Sequence, residues 1–186
     1  MKRFTMWVAT IAVLVMMPMA ARTTAEDPAS QSAAAVVSLK AALDQLKLDA
    51  VAARDPDDPG RYIAAFYMPG SQLLVVSAPY KVPAALDKKI AAGSYMDAYV
   101  DLQSVADHTG HFFVIDMQAD GLRTDLKLDQ AFDSTALEGA TPVSFDGNWG
   151  AQKMTEGDYE ARFRQDDARY TQMLNVLRSA LVKKGT

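Results

Sequence analysis

RYIAAFYM at residues 61–68 and QLLVVS at residues 72–77 are two apolar runs, rich in aromatic and β-branched side chains, that flank a Pro69-Gly70 step. Such side chains favour extended backbone, and Pro-Gly is typical of a tight turn. The pattern therefore predicts two antiparallel strands joined as a hairpin. A lone hairpin is marginally stable in water, so more of the sheet is expected on either side of it.

Four further segments have strand character. Residues 96–103 alternate apolar with polar side chains, which is typical of a strand with one buried face. Residues 49–54 lead into the turn DPDDPG, and HFFVIDM at residues 111–117 is almost continuously apolar. TPVSF at residues 141–145 completes the predicted set of six strands. Residues 122–139 carry no clear pattern and leave room for one extended piece.

Three segments have the spacing of helices. The first is amphipathic, with Ser30 or Ser32 available as its N-cap. Its apolar stripe consists of Val36, Leu39, Leu43 and Leu46. A short helix is predicted over residues 83–93 and a long one over residues 155–184, where Thr155 and Asp158 approximate a capping box. The stripe of the long helix consists of Tyr159, Phe163, Tyr170, Met173, Leu177 and Leu181. The whole pattern predicts one α+β domain.

The first 25 residues have the features of a secretory signal peptide: a basic start, an apolar run too short for a permanent anchor, and Ala25 at the expected cleavage position. Cleavage there removes 25 of 186 residues and three of 19 basic side chains. This leaves 161 residues and, against 23 acidic side chains, a net charge of −7. We therefore expect a periplasmic or secreted protein with no stable membrane anchor. Its mobile lead-in over 26–35 would be followed by a single domain over 36–186.

Composition and motifs exclude several classes of function. The chain has no cysteine, which excludes disulfide scaffolds, thiolate metal sites and thiol catalysis. Its acidic charge argues against nucleic-acid binding, and the Gly-rich phosphate loops and the G-x-S-x-G nucleophile motif are missing. His108 and His111 lack the spacing of a helical zinc motif, so we expect no metal. An enzyme of unrecognised type, built on these two histidines and the acidic residues near them, is one of three hypotheses for the function of this chain.

One set of polar residues around the hairpin has the composition of an anion site. Arg61 opens the second predicted strand, Ser77 closes the third, Lys81 follows in the loop, and Lys88 belongs to the predicted short helix. A guanidinium, a hydroxyl and one or two ammonium groups can hold a phosphate if they converge. The alternative is that these residues are ordinary exposed charges on the protein surface.

The order of these segments, from the first helix through DPDDPG, RYIAAFYM, QLLVVSAPYK and HFFVIDM, resembles the FMN-binding split barrels of the pyridoxamine 5′-phosphate oxidase type. The resemblance covers about residues 36–118. It implies a six-stranded antiparallel split β-barrel of Greek-key order, with an N-terminal helix and a short middle helix, and commonly a homodimer. The long C-terminal helix would follow the barrel. FMN is the cofactor implied, with Arg61, Ser77 and Lys81 similar to the residues that hold its phosphate.

The chain also departs from that family. Phe66 stands where the oxidase has a Lys, Pro79 and Tyr80 replace part of the motif before Lys81, and the C-terminal Arg-x-His element is missing. Oxidation of pyridoxamine phosphate is therefore not expected, and no catalytic residue is assigned. Two functions stay open: a protein that binds FMN or a related phosphorylated ligand in a split-barrel cleft, and a cofactor-free binding module of the same fold.

Overall fold

A computed structural model describes residues 30–58, 60–68, 72–79, 88, 112–122, 128–133 and 141–182. Within these ranges the chain is α+β, as predicted, with two long helices and one six-stranded antiparallel sheet. The helices are α1 (Ser32–Leu46) and α2 (Glu156–Val182). The strands are β1 (Ala50–Arg54), β2 (Arg61–Met68), β3 (Gln72–Pro79), β4 (Phe112–Asp116), β5 (Gln130–Asp133) and β6 (Val143–Ser144).

The sheet runs in the order β1-β2-β3-β4-β5-β6, and every neighbouring pair is antiparallel. The hairpin is confirmed, with Phe66 opposite Leu74 and Ile63 opposite Ser77. The described strands form an open meander, because each one pairs with its neighbour in the chain. The expected closure into a barrel of Greek-key order is therefore not confirmed by this part of the chain.

The two helices pack on one face of the sheet and form the main core with it. The strand residues of that core are Val51, Ala53, Ile63, Ala65, Leu73, Val75, Phe112, Val114, Ala131 and Val143. The alternate residues form a second buried cluster on the opposite face, made of Ala50, Ala52, Tyr62, Ala64, Phe66 and Val76. Because side chains of a strand alternate between faces, burial on both faces explains why these strands read as continuous apolar runs.

Helix α1 confirms the predicted apolar stripe but begins and is capped differently. Val36, Leu39 and Leu43 are buried, while Leu46 is exposed. The helix begins at Ser32, so the last four residues of the predicted lead-in belong to it. Neither serine caps it in the way expected: the N-cap residue is Gln31, which makes no side-chain cap bond.

The free N–H groups at the start of α1 are instead satisfied by a carboxylate from α2. Asp167 accepts hydrogen bonds from the amides of Gln31 (2.7 Å) and Ser32 (3.2 Å) and from the hydroxyl of Ser30 (2.9 Å). A carboxylate at a helix N-terminus satisfies free donors and interacts favourably with the helix dipole. The prediction of a local serine cap is wrong because this acceptor comes from a residue more than 130 positions away in the sequence.

Helix α2 agrees closely with the predicted long helix. The Thr155 hydroxyl is 2.6 Å from the Asp158 carboxylate and accepts from the Asp158 amide at 3.2 Å, which confirms the local cap. All six residues of its predicted stripe are buried. The predicted helix over 83–93, the predicted strand over 96–103 and the signal peptide fall outside the described residues, apart from Lys88. Among the described helices, none is both long and apolar enough to cross a membrane.

A tight turn after β4 fixes the sheet against the start of α1. Asp116 accepts hydrogen bonds from the amides of Asp120 (3.1 Å) and Gly121 (2.9 Å). Gly121 has a φ of 101°, and a Cβ built there would lie 2.6 Å from the backbone of Ala33. Only glycine meets both conditions, since it tolerates positive φ and leaves room for the helix backbone.

Candidate functional site

Arg61 lies on the helix-facing side of the sheet, at the end where β2 begins. It shares that face with Ile63 and Ala65 of the main core, and its side chain is 19% exposed. Its Nε is 3.9 Å from a carboxylate oxygen of Asp58, which is beyond hydrogen-bond distance. This Nε is buried and has no hydrogen-bond partner among the described residues. A buried donor left without an acceptor costs about 1–3 kcal/mol, so the position favours an incoming acceptor.

Ser77 lies beside Arg61 on the same face. Ser77 is directly opposite Ile63 on β2 and Phe112 on β4, and only 1% of it is exposed. Since Arg61 is two residues from Ile63, Arg61 and Ser77 are diagonal neighbours, a relation in which Cα atoms are about 7–8 Å apart. The sheet register therefore brings two of the four predicted site residues to one end of the helix-facing surface.

Neither of the other two predicted site residues is described beside this pair. Lys81 lies outside the described residues, two positions after the end of β3. Lys88 is exposed. For the described part of the chain, the candidate anion site thus consists of one guanidinium and one hydroxyl.

The β1–β2 turn next to Arg61 is strongly acidic. Asp55 accepts from the amide of Asp57 (2.9 Å), and Asp58 accepts from the amide of Gly60 (3.0 Å), so these two carboxylates stabilise the turn itself. Asp57 also accepts from the side-chain amide of Gln172 on α2 (2.7 Å), which ties the turn to the helix. The turn carries three carboxylates, and their negative potential opposes the binding of an anion at Arg61.

A groove of about 500 Å³ borders this turn, between the end of β1 and the second half of α2. Its apolar lining consists of Ala53, Val176 and Ala180, together with Pro56 of the turn. Its volume lies within the range of about 300–1,000 Å³ that is usual for small-molecule sites. The groove and Arg61 both border this turn: Pro56 lines the groove, and the amide of the preceding Asp55 donates to the carbonyl of Arg61 at 2.9 Å.

A second polar cluster lies buried between α2 and the sheet. Arg169 donates to Asp133 at the end of β5 (2.6 Å), and its guanidinium stacks 4.3 Å from the centre of the Phe112 ring. Two turns earlier on α2, Arg162 donates to Asp166 at 2.7 Å. Phe112 is directly opposite both Ser77 and Asp133. This charged cluster therefore occupies the same end of the sheet as the pair Arg61 and Ser77.

The buried pair Arg162 and Asp166 is incompletely satisfied. Oδ1 of Asp166 and Nη2 of Arg162 have no hydrogen-bond partner among the described residues. Burial raises the pKa of Asp166 to about 6, although Arg162 and Arg169 act in the opposite direction. Repulsion from Asp133 adds to the increase. A carboxyl group with such a pKa changes its charge near neutral pH, which is a frequent property of functional sites.

Asp116 and Tyr170 form a third buried polar contact. The Tyr170 hydroxyl donates to Asp116 at 3.1 Å, beside the two backbone amides of the turn after β4. Burial raises the pKa of Asp116, although these three donors lower it. The pKa of the Tyr170 hydroxyl is raised well above its ordinary value, first by burial and then by the negative charge of Asp116. The contact joins α2 to β4, and its side chains have no access to solvent.

The amino-acid sequence carries no pattern that marks these carboxylates as buried. Asp116, Asp133 and Asp166 are separated by long stretches of chain, and each alone reads as a surface residue. One local signal was available: Arg162, Asp166 and Arg169 are spaced by four and three positions, on the face of α2 that also carries Tyr159 and Phe163. No cluster of potential metal ligands occurs within the described ranges, and His108 and His111 fall outside them.

Comparison with known proteins identified no relative of this chain. No protein-family model matches the chain. No curated protein and no solved structure was found to be significantly similar to it. The chain's function must therefore be inferred from its own residues.

Proposed function

We propose that this chain is an exported binding protein for a small phosphorylated molecule. Arg61 holds the phosphate, and Ser77 assists through its hydroxyl. The observation that carries the proposal is the buried Nε of Arg61, which lacks an acceptor among the described residues. A phosphate oxygen would supply that acceptor and form a charge-assisted hydrogen bond, which is stronger than a neutral one.

FMN is the phosphorylated ligand that the family resemblance implies. The phosphate of FMN fits Arg61, since a guanidinium is suited to phosphate geometry and this one has a free donor. When bound, FMN would supply electron-transfer chemistry, while the protein would bind and orient it. The proposal also includes the split-barrel closure and the homodimer that the resemblance implies.

The test is calorimetric titration of the purified mature chain with FMN, pyridoxal 5′-phosphate and inorganic phosphate. Arg61→Gln removes the proposed phosphate donor, and Arg178→Gln makes the same charge change at an exposed position on α2. We expect Arg61→Gln to weaken binding by about 10- to 100-fold, the usual effect of losing a hydrogen bond to a charged group. Arg178→Gln should leave binding unchanged. Absence of binding by all three compounds, or equal binding by both variants, would contradict the proposal.

A second candidate function is a cofactor-free binding module. It is favoured by the acidic turn beside Arg61, since Asp55, Asp57 and Asp58 oppose a dianionic phosphate. It is also favoured by Arg162 and Arg169, whose charges are already engaged by Asp166 and Asp133. A colourless purified protein that binds none of the three phosphorylated compounds would select this function. Light scattering would then show whether the chain associates with a second copy.

A further inference from the structure

The groove between β1 and α2 has the lining of a site for an uncharged molecule. Ala53, Val176 and Ala180 make an apolar floor of small side chains, which leaves the groove open. Gln172 and Asn175 stand at the rim, three positions apart on α2 and hence on one side of the helix. Predominantly apolar walls with a few polar groups are typical of small-molecule sites.

The amide side chains at the rim of the groove are uncharged and can form hydrogen bonds with a ligand. Gln172 uses its Nε2 to donate to Asp57, which leaves the amide oxygen as an acceptor. Asn175 is exposed and carries both a donor and an acceptor. Arg54 also lines the groove, but its guanidinium is stacked 5.3 Å from the centre of the Tyr62 ring, which belongs to the opposite face of the sheet. The complementary ligand is therefore neutral, with a donor and an acceptor on one edge.

We propose that this groove binds the flat, uncharged ring system of the ligand whose phosphate is held at Arg61. This inference rests on the proposed function for the position of the phosphate. The groove and Arg61 lie on the same face of the sheet, because Ala53 of β1 lines the groove and Arg61 begins the neighbouring strand β2 on the face of Ile63. The amide of Asp55 joins the two strands there by donating to the carbonyl of Arg61. A ring system with an amide-like edge would place its apolar body against Ala53 and Ala180 and its polar edge against Asn175.

The experiment compares FMN with riboflavin, which has the same rings and no phosphate, by quenching of flavin fluorescence. Ala180→Phe fills the groove, and Ala168→Phe adds the same ring at an exposed position on α2. We expect Ala180→Phe to weaken both flavins by about tenfold or more, and Ala168→Phe to weaken neither. Arg61→Gln should weaken FMN and spare riboflavin. Circular dichroism melting shows whether each variant is folded.

The outcomes distinguish the two proposals. If riboflavin binds and Arg61→Gln leaves the affinity for FMN unchanged, the phosphate site is wrong and the ring site stands. If the wild-type chain does not bind riboflavin, or if Ala180→Phe binds it with unchanged affinity, the ring site is overturned. Should Ala180→Phe fail to fold, Asn175→Asp serves as the second variant. It alters only an exposed rim residue, and an unchanged riboflavin affinity in this variant would also count against the ring site.

Discussion

At the scale of single residues, the most consequential group is the carboxyl of Asp166. It is completely buried, it is hydrogen-bonded to Arg162, and one of its oxygens has no partner among the described residues. Its pKa in the folded protein is about 6, against 3.8 for an ordinary Asp. The folded state therefore binds this proton more tightly than the unfolded state. The resulting stabilisation is complete below pH 3.8 and is lost as the pH rises through about 6.

We predict that Asp166 makes the protein less stable as the pH rises. Between about pH 4.5 and about pH 7.5, the contribution of Asp166 to the free energy of unfolding should fall by roughly 2 kcal/mol. Asp166→Asn cannot ionise, so this part of the pH dependence should be lost in the variant, whatever its absolute stability. Urea unfolding of both proteins at the two pH values measures the difference. Parallel pH profiles would show that Asp166 does not titrate in this range.

Gly121 permits the close approach of the turn after β4 to α1. Gly121→Ala would force a Cβ to within 2.6 Å of the backbone of Ala33 at a φ of 101°. We predict a loss of about 3 kcal/mol in the free energy of unfolding, because overpacking and positive φ add together. Gly150→Ala is the matched control, since a Cβ there meets nothing within 4 Å. Thermal melting of the two variants checks the prediction, which fails if both behave alike.

At the scale of elements, α1 depends on α2 for its first turn. Asp167 accepts from two backbone amides and one hydroxyl at the start of α1. The end of α1 is satisfied locally: Lys47 adopts the left-handed conformation, and the amide of Leu48 donates to the carbonyl of Leu43 at 2.9 Å. The end of α1 could be predicted from the local sequence. The cap at its start could not, because Asp167 reaches α1 only through tertiary packing.

We predict that Asp167→Ala destabilises the protein by about 1–3 kcal/mol, the range for losing a helix cap and leaving buried donors without a partner. Asp44→Ala, at an exposed position of α1, should change stability by less than about 0.5 kcal/mol. Hydrogen exchange gives a more local measurement. The amides of Gln31 and Ser32 should exchange faster in Asp167→Ala, and unchanged protection of these amides would contradict the assigned cap.

Elements with a regular pattern of apolar residues could be predicted from the sequence. For β5 the sequence indicated only that residues 122–139 leave room for one extended piece, without its bounds. The apolar stripe of α2, the continuous apolar run of β2 and the Pro69-Gly70 step each indicate local structure directly. Strand β5 has only four residues and ends in Asp133, a residue that is unfavourable in strands. Asp133 is tolerated because Arg169 neutralises it, which is a tertiary contact with no local signature. The burial of the charges beneath α2 could not be predicted either, because it also results only from tertiary packing.

At the scale of the whole molecule, the candidate site could be predicted in part. Strand order and the hairpin turn were sufficient to predict that Arg61 and Ser77 lie near the same end of a sheet. The face on which they lie depends on register, and a shift by one residue would reverse it. The groove could not be predicted at all, because it forms where α2 crosses β1, and the sequence does not specify that crossing.

We predict that the mature exported chain begins at Glu26. The first residue with described contacts is Ser30, so removal of residues 1–25 leaves all the described contacts intact. Expression in a secreting bacterial host, followed by mass spectrometry of the exported fraction, measures the mature end. Ala25→Lys should block cleavage, because the peptidase requires a small side chain there. Recovery of the uncleaved wild-type chain from the cytoplasm would contradict the prediction.

The hydrogen bonds between Asp167 and the start of α1 also determine when the chain can complete its fold. The first described helix completes its backbone bonding only after the middle of the last one has been synthesised, and the two helices share one core. The native packing of α1 therefore forms only after Asp167 has been synthesised. In an exported protein, as we propose this one to be, such a late contact would favour transport of an unfolded chain and folding on the far side of the membrane.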